Sequence, residues 1–185
     1  MRVISGTYRS RRLVAPRGSI TRPSSDRLRE TLFNVLAVRI EGAVFADLYA
    51  GSGAVGIEAL SRGAHMVYFI ERAAQAVAAI RANLSSLGIH DGFQISSASV
   101  SAALSRLSDT SPPCSIVFMD PPYAAVADYD RTLADIGRHA DKLLTADGLV
   151  VAEHSRKIAP AECYGPLRRF RVLQQGDAGL SFYTR

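Results

Sequence analysis

The sequence predicts an α/β fold with a mostly parallel sheet, helices on both of its faces and an antiparallel hairpin at the C-terminus. Apolar, β-prone segments alternate with helical segments from residue 43 onward. A glycine-rich turn joins the first of these strands to the first of these helices, and the last two β-prone segments flank the turn at 176–179. Alternation of this kind indicates parallel strands joined by right-handed helical crossovers, whereas a short glycine turn between strands indicates a hairpin.

The elements follow in order along the chain. Residues 2–4 and 12–14 predict a small N-terminal β-hairpin, and leucines at helical spacing after Pro23 predict a helix. The predicted strands are 43–49, 65–71, 92–97, 114–120 and 148–155, the predicted helices are 54–62, 73–87, 99–107 and 128–143, and the final strand pair lies at 168–176 and 179–185. We therefore divide the chain into an N-terminal hairpin and helix, 1–42, and a main domain, 43–185.

Composition is that of a soluble globular protein. The 185 residues are 48% hydrophobic and 21% charged, which is enough to bury a core. No uncharged apolar run approaches the ~18–20 residues of a membrane span, and the N-terminus lacks the long apolar region of a secretory signal. Cys114 and Cys163 have no metal-like spacing and read as free thiols. We expect a cytoplasmic protein.

Positive charge is concentrated at the N-terminus. Residues 1–30 hold eight arginines against Asp26 and Glu30, and 20 of the 22 basic residues in the chain are arginine. Arginine is suited to bidentate phosphate contacts and to stacking on bases. The asymmetry indicates either a polyanionic partner or a solvated arm, and charge alone leaves both open.

The glycine turn has the spacing Gly51-x-Gly53-x-x-Gly56 after an apolar strand, which is typical of nucleotide binding. Glu71 ends the second strand, where a carboxylate can accept both ribose hydroxyls. Both features fit NAD and S-adenosylmethionine equally. Asp47, at the end of the first strand, favours the second because it would repel a pyrophosphate and attract a cationic ammonium or sulfonium. The alternative for Asp47 is a cap on a neighbouring N–H.

The stretch Met119-Asp-Pro-Pro-Tyr123 follows the fourth apolar strand, at the edge of the sheet where ligands of open α/β folds bind. Asp120 and the carbonyl of Pro121 are acceptors that Pro121 and Pro122 would hold in one direction, and Tyr123 provides a flat face. Two acceptors on the hydrogens of an exocyclic amine would restore its nucleophilicity while the tyrosine stacks the base. This pattern predicts amine methylation on a nucleobase, a reaction that requires no metal.

These motifs together resemble the class I S-adenosylmethionine-dependent methyltransferases, and more closely the bacterial RsmD family, which methylates N2 of a guanine in 16S ribosomal RNA. The resemblance runs nearly from end to end and includes RVISGTYRSRRL (2–13), TRPSSDRLRETLFNVL (21–36), DLYAGSGAVGIEALSRGA (47–64), FIER (69–72), DPPY (120–123), VVAEHS (150–155) and GDAGLSFY (176–183). It implies a Rossmann-like class I methyltransferase sheet and 16S rRNA, in the small ribosomal subunit or its assembly intermediate, as the partner.

The resemblance also implies roles for individual residues. The cofactor set is Asp47, Tyr49, Gly51, Gly53, Glu71, Arg72, Ala98, Ser99 and Asp120; the catalytic set is Asp120, Pro121, Pro122 and Tyr123; the RNA set is Arg9, Arg11, Arg12, Arg22, Arg27 and Tyr123. Many class I enzymes place Asp or Asn against the adenine amine where this chain has Ala98 and Ser99. That contact would then come from backbone or from the Ser99 hydroxyl.

Other functions remain as alternatives. A DNA adenine N6 methyltransferase also uses DPPY but normally needs a target-recognition region, for which this chain has little room. Enzymes that methylate protein glutamine typically have Asn where this chain has Asp120, which disfavours that activity. An NAD-dependent reductase is opposed by Asp47 and DPPY, and a non-catalytic RNA-binding module by the intact site. His154 reads as a strand-end histidine with satisfied hydrogen bonds rather than a pocket residue, and we expect a monomer.

Overall fold

A computed structural model of the chain describes residues 1–16, 26–122 and 126–185. Its strands are β1 Val44–Leu48, β2 Met66–Ile70, β3 Phe93–Ser96, β4 Cys114–Met119, β5 Leu144–Ser155, β6 Cys163–Tyr164, β7 Leu167–Gln175 and β8 Ala178–Thr184. Its helices are α1 Asp26–Leu36, α2 Ala54–Ser61, α3 Ala74–Leu87, α4 Val100–Thr110 and α5 Val126–Leu143.

Within these residues the strands form an eight-stranded sheet in the order β3-β2-β1-β4-β5-β8-β7-β6. Strands β1 to β5 pair in parallel, and β8, β7 and β6 continue the sheet in antiparallel pairing. The predicted α/β class, with parallel strands followed by an antiparallel C-terminal hairpin, is confirmed.

The central strands β1, β2, β4 and β5 are largely buried on both faces of the sheet because helices cover each face, whereas β7 is mostly exposed. Side chains alternate along β1, so that Phe45 lies in the core under α1, α2 and α3 while Ala46 lies in the core under α4 and α5. Such central strands are continuously apolar because neither face meets water. The predicted helices on both faces are therefore present.

The N-terminal hairpin is smaller than the sequence predicts. Its strands meet in a single antiparallel bridge, Arg2 to Arg12, flanked by the bond from Val3 N–H to the Arg11 carbonyl. Val3 and Leu13 are buried in the same core as α1 and β1. The described part of 1–42 thus has no core separate from that of the sheet, and its treatment as a distinct unit stays a prediction.

Two further differences concern the second half of the sheet. Strand β5 begins at Leu144, four residues before the predicted start, with a register shift against β4 between Cys114 and Ile116. Residues 145–148 have the composition of a turn, so the sequence did not indicate that the strand begins before them. The register shift accommodates these residues within the strand. Strand β6 was not predicted, since two residues carry no periodicity.

Two remaining expectations concern membranes and thiols. Cys114 is buried, Cys163 is exposed, and both are free thiols as predicted. Over the described ranges, no helix combines the length and the hydropathy needed to cross a bilayer.

Candidate active site at the carboxyl edge of the sheet

Four loops leave the same edge of the sheet and define the candidate site. Leu48 at the end of β1 is in register with Ile70 of β2 on one side and with Met119 of β4 on the other, and Ile70 is in register with Ser96 of β3. The following loops contain Tyr49–Gly53, Glu71–Arg72, Ser97–Ser99 and Asp120–Pro122, so the predicted cofactor and catalytic residues described by the structure lie along one edge. The Asp120 N–H donates to the Leu48 carbonyl at 3.4 Å, which fastens the β4 loop beside the glycine turn.

The three glycines of the turn do not all serve the same purpose. Gly51 and Gly53 have φ angles of +56° and +77°, the left-handed region that favours glycine. Among the residues that the structure describes, a Cβ on Gly51 would meet only the Tyr49 carbonyl, at 3.9 Å, so these residues leave space beside the turn for a ligand. A Cβ on Gly56 would lie 2.3 Å from Cε1 of Phe69, so this glycine permits close packing of α2 on the sheet.

Glu71 is bonded to the backbone of the glycine turn. Its Oε2 accepts the Gly51 N–H at 2.9 Å, and its Oε1 accepts the Ala73 N–H at 2.8 Å. Each carboxylate oxygen has further acceptor capacity, so both can still accept ribose hydroxyls. Arg72 is exposed beside it. The two backbone bonds hold the half-buried carboxylate at the mouth of the turn.

Asp47 lies beneath the turn rather than facing the space above it. Its side chain is 1% exposed, and Oδ2 accepts the Gly56 N–H at 2.8 Å. Burial raises the pKa of Asp47 to about 7, the Gly56 bond opposes the rise, and the negative charge of Glu71 adds to it. The structure contains the cap on a neighbouring N–H that the sequence left open, and the cofactor contact of Asp47 stays a prediction.

Tyr49 is held in an unusual conformation between the glycine turn and α5. Its φ of +62° is uncommon for a residue with a side chain and marks local backbone strain. The Tyr49 hydroxyl lies 2.7 Å from Oγ1 of Thr132 on α5. Burial raises the pKa of the Tyr49 hydroxyl. The hydrogen bond between the Tyr49 and Thr132 hydroxyls thus holds Tyr49, one of the predicted cofactor residues, in a backbone conformation that is unfavourable by itself.

The loop after β4 contains the predicted amine-binding acceptors. Asp120 is half-buried, Pro121 is buried and Pro122 is exposed. The Pro121 carbonyl accepts a hydrogen bond from the Tyr129 hydroxyl of α5 at 3.2 Å, which leaves the second lone pair of that oxygen for another donor. The expectation for Tyr123 lies outside the described residues.

The residues predicted near the adenine are at the start of α4. Ser99 is the N-cap of α4, and its Oγ accepts the Ala102 N–H at 3.3 Å. A hydroxyl that accepts a bond in this way can still donate one to a base. Ala98 is half-buried beside it.

The predicted RNA-binding arginines divide into two groups. All four of the described residues, Arg9, Arg11, Arg12 and Arg27, are exposed. Arg11 differs because its Nη2 donates to the Ser86 carbonyl of α3 at 2.9 Å. Arg22 lies outside the described residues. The side chains of Arg9, Arg12 and Arg27 are therefore available for phosphate contacts, and Arg11 has a structural contact as well.

The N-terminal hairpin is anchored to α2 by a buried acidic side chain. Glu58 is fully buried, and its carboxylate accepts the Ile4 N–H at 2.7 Å and the Ser5 N–H at 3.0 Å. Arg62 pairs with the same carboxylate at 2.7 Å. Arg29 is buried, with Nη2 3.0 Å from Oδ1 of Asp26 and Nε 3.8 Å from Oε2 of Glu58.

His154 is a structural residue, as the sequence favoured. It is 1% exposed, with Nδ1 2.8 Å from the Ser155 carbonyl and Nε2 2.9 Å from Oγ of Ser181. Burial lowers its pKa. Both ring nitrogens have partners within the sheet.

Sequence reasoning missed Asn83, Tyr129 and Thr132. Asn83 falls on the buried stripe of α3 with Ile80, Leu84 and Leu87, and a polar residue on an apolar stripe is a signal that could have been used. Tyr129 and Thr132 are also buried on α5. Their contacts with the loops after β4 and β1 depend on tertiary packing and leave no sequence signal.

The chain is similar to known proteins over almost its full length. The family described as "Conserved hypothetical protein 95" matches residues 1–184. A Bacillus subtilis protein named "Putative rRNA methyltransferase YlbH" is 34% identical over 100% of this chain and 99% of its own. The Escherichia coli "Ribosomal RNA small subunit methyltransferase D" is 38% identical over 78% of this chain and 72% of its own. A solved E. coli structure titled "Putative methyltransferase yhhF" has a TM-score of 0.84 and 30% identity, covering 100% of this chain and 97% of that one.

Proposed function

The chain belongs to the RsmD family of ribosomal RNA methyltransferases, and on this premise we propose that it transfers a methyl group from S-adenosylmethionine to the N2 amine of a guanine in 16S rRNA. The observation that carries the proposal is the adjacency of two loops. The Asp120–Pro122 loop leaves β4 next to the glycine turn after β1, with Met119 and Leu48 in register. Amine acceptors therefore lie beside a nucleotide-binding turn.

The residues of the turn fit the cofactor. The described residues around Gly51 leave space for close approach of a ligand, and both oxygens of Glu71 retain acceptor capacity for ribose hydroxyls. Ser99 and Ala98 lie at the start of α4, after the neighbouring strand β3, where the adenine would bind. When bound, S-adenosylmethionine supplies an electrophilic methyl group on a sulfonium.

The β4 loop orients the amine. The lone pair of guanine N2 is delocalised into the ring, which makes the nitrogen a weak nucleophile. Asp120 and the free lone pair of the Pro121 carbonyl accept its two hydrogens and turn the nitrogen lone pair toward the methyl group, while Tyr123 stacks on the base. The proton released on methylation passes to Asp120 or to water. The gain is one of proximity and orientation, for which no covalent intermediate is needed.

The N-terminal hairpin binds the RNA backbone. Guanine N2 lies in the minor groove of an A-form helix, so the nucleotide must be in a loop or extruded from the stack. Exposed Arg9, Arg12 and Arg27 would neutralise flanking phosphates, and Arg22 stays in the predicted RNA-binding set. The enzyme would act as a monomer in the cytoplasm, on the small subunit or its assembly intermediate.

A substrate panel tests the proposal. The purified chain is incubated with methyl-labelled S-adenosylmethionine and small ribosomal subunits, naked 16S rRNA or duplex DNA. We expect label in the subunits or the rRNA. Label in DNA adenine would favour the alternative that shares the DPPY motif, and no label in any nucleic acid would contradict the proposal.

A further inference from the structure

Asn83 connects the N-terminal segment to the glycine turn through one buried amide. Its side chain lies on α3, and the residue is 1% exposed. Oδ1 accepts the Val14 N–H at 2.8 Å, and Nδ2 donates to the Val14 carbonyl at 3.0 Å and to the Ser52 carbonyl at 2.9 Å. Both N–H groups of the amide are therefore used, one on the Val14 carbonyl and one on the Ser52 carbonyl, and the amide oxygen makes a third hydrogen bond, to the Val14 N–H.

The two segments joined in this way belong to the two binding functions of the protein. Val14 follows the hairpin that carries Arg9, Arg11 and Arg12, and Ser52 lies between Gly51 and Gly53. A second contact repeats the connection, since Oγ of Ser52 lies 3.7 Å from Sδ of Met1 at the start of the hairpin. The N-terminal hairpin and the glycine turn are therefore connected by these contacts, although they are distant in the sequence.

We propose that Asn83 is a positioning residue that couples cofactor binding to RNA binding, an inference that rests on the proposed function. A glycine-rich turn loses conformational freedom when a ligand binds over it, and whatever orders the turn beforehand reduces that cost. RNA held on the hairpin restrains Val14, and Asn83 transmits the restraint to Ser52. Linkage makes the effect reciprocal, so a bound cofactor strengthens RNA binding by the same factor.

The variant Asn83→Asp tests the coupling with little change in shape. An aspartate can accept the Val14 N–H, but when ionised it donates to neither carbonyl, and when protonated by burial it has one donor for the carbonyls of Val14 and Ser52, so at least one of the two bonds is lost. The matched control is Asn34→Asp, the same substitution at an exposed position of α1. The measurement is the affinity for S-adenosylhomocysteine, which avoids turnover, with and without saturating small subunits.

The expected result is a ratio of affinities. Subunits should raise the affinity of the wild type and of Asn34→Asp by about five-fold or more, within the usual range of coupling between sites. In Asn83→Asp the ratio should fall well below that of the wild type and of Asn34→Asp. A loss of stability alone would lower both affinities together and leave the ratio unchanged, so the ratio separates positioning from folding.

Two further outcomes decide the remaining cases. If Asn83→Asp does not fold, as judged by circular dichroism, Val14→Pro removes one bonded N–H at an exposed residue and should reduce the ratio while Asn83 stays in place. A wild type that methylates subunits but gives a ratio of one, or a variant that keeps the wild-type ratio, overturns the role of Asn83. A wild type that neither binds S-adenosylhomocysteine nor methylates RNA contradicts the proposed function instead.

Discussion

Replacing Glu71 is the perturbation whose effect on cofactor binding follows most directly from the structure. Glu71→Ala removes a carboxylate that is held by the N–H groups of Gly51 and Ala73 and has capacity left for two ribose hydroxyls. Hydrogen bonds to charged groups contribute about 1.5–3 kcal/mol. We therefore expect S-adenosylhomocysteine to bind about 10- to 150-fold more weakly, at about 1.4 kcal/mol for each factor of ten.

Two companion variants make the measurement specific. Glu71→Gln keeps one acceptor oxygen but loses the charge and places an amide N–H₂ among N–H donors, so its affinity should lie between those of the wild type and Glu71→Ala. Glu41→Ala is the matched control, because Glu41 is exposed and precedes β1 at the opposite edge of the sheet. Its affinity should equal that of the wild type.

Isothermal titration calorimetry with S-adenosylhomocysteine, and separately with NAD, provides the assay. NAD should give no binding heat in any variant. Thermal melts of each variant show whether the loss of the Gly51 contact has unfolded the turn region. Wild-type affinity in Glu71→Ala, or measurable binding of NAD, would refute the assignment of this turn to the adenosine of a methyl donor.

Three other changes test separate parts of the site. Asp120→Ala should lose most of the single-turnover methylation rate, with a thermal melt to show that the variant is folded; a rate within a few-fold of wild type would remove Asp120 from the amine-orienting role. Joint replacement of Arg9, Arg11 and Arg12 by Ala should flatten the slope of log affinity for subunits against log salt by about two to three units, and an unchanged slope would place RNA binding elsewhere. Asp47→Asn should leave S-adenosylhomocysteine affinity nearly unchanged if Asp47 acts as a cap. The folded-state pKa of Asp47, about 7, exceeds its ordinary value of 3.8, so its contribution to the unfolding free energy grows as pH falls through that interval. The variant should lose this pH dependence and be more stable than wild type above pH 7, and weaker cofactor binding would instead indicate a direct contact with the ligand.

The fold could be predicted from the sequence because the information for it is local. Apolar strands such as β1 and β4 are bounded by turns and alternate with helices that end at glycines, including Gly88 with its φ of +70°. Two features that lack such a pattern differ from the prediction: β5 is longer at its start, and the N-terminal hairpin is smaller. The start of β5 is irregular, and the N-terminal hairpin has one bridge because Glu58 binds its backbone in place of a longer ladder.

The positions of the site residues could be predicted in part. Loops at the carboxyl ends of parallel strands must share an edge, so the proximity of Glu71 to the glycine turn follows from topology. The direction in which a side chain points does not follow from topology, and Asp47 shows this because its carboxylate caps Gly56 beneath the turn. The links made by Asn83 and Thr132 join segments far apart in the chain, and only the packed structure reveals them.

Identification of the methylated nucleoside tests the central claim most directly. Small subunits labelled by the wild-type chain are digested to nucleosides and separated by liquid chromatography with mass spectrometry, beside subunits treated with Asp120→Ala. We predict label in N2-methylguanosine from 16S rRNA with the wild type and a large loss of that peak with the variant. Label confined to another nucleoside would contradict guanine as the target, and label on a ring nitrogen of guanosine would contradict an active site that orients an exocyclic amine.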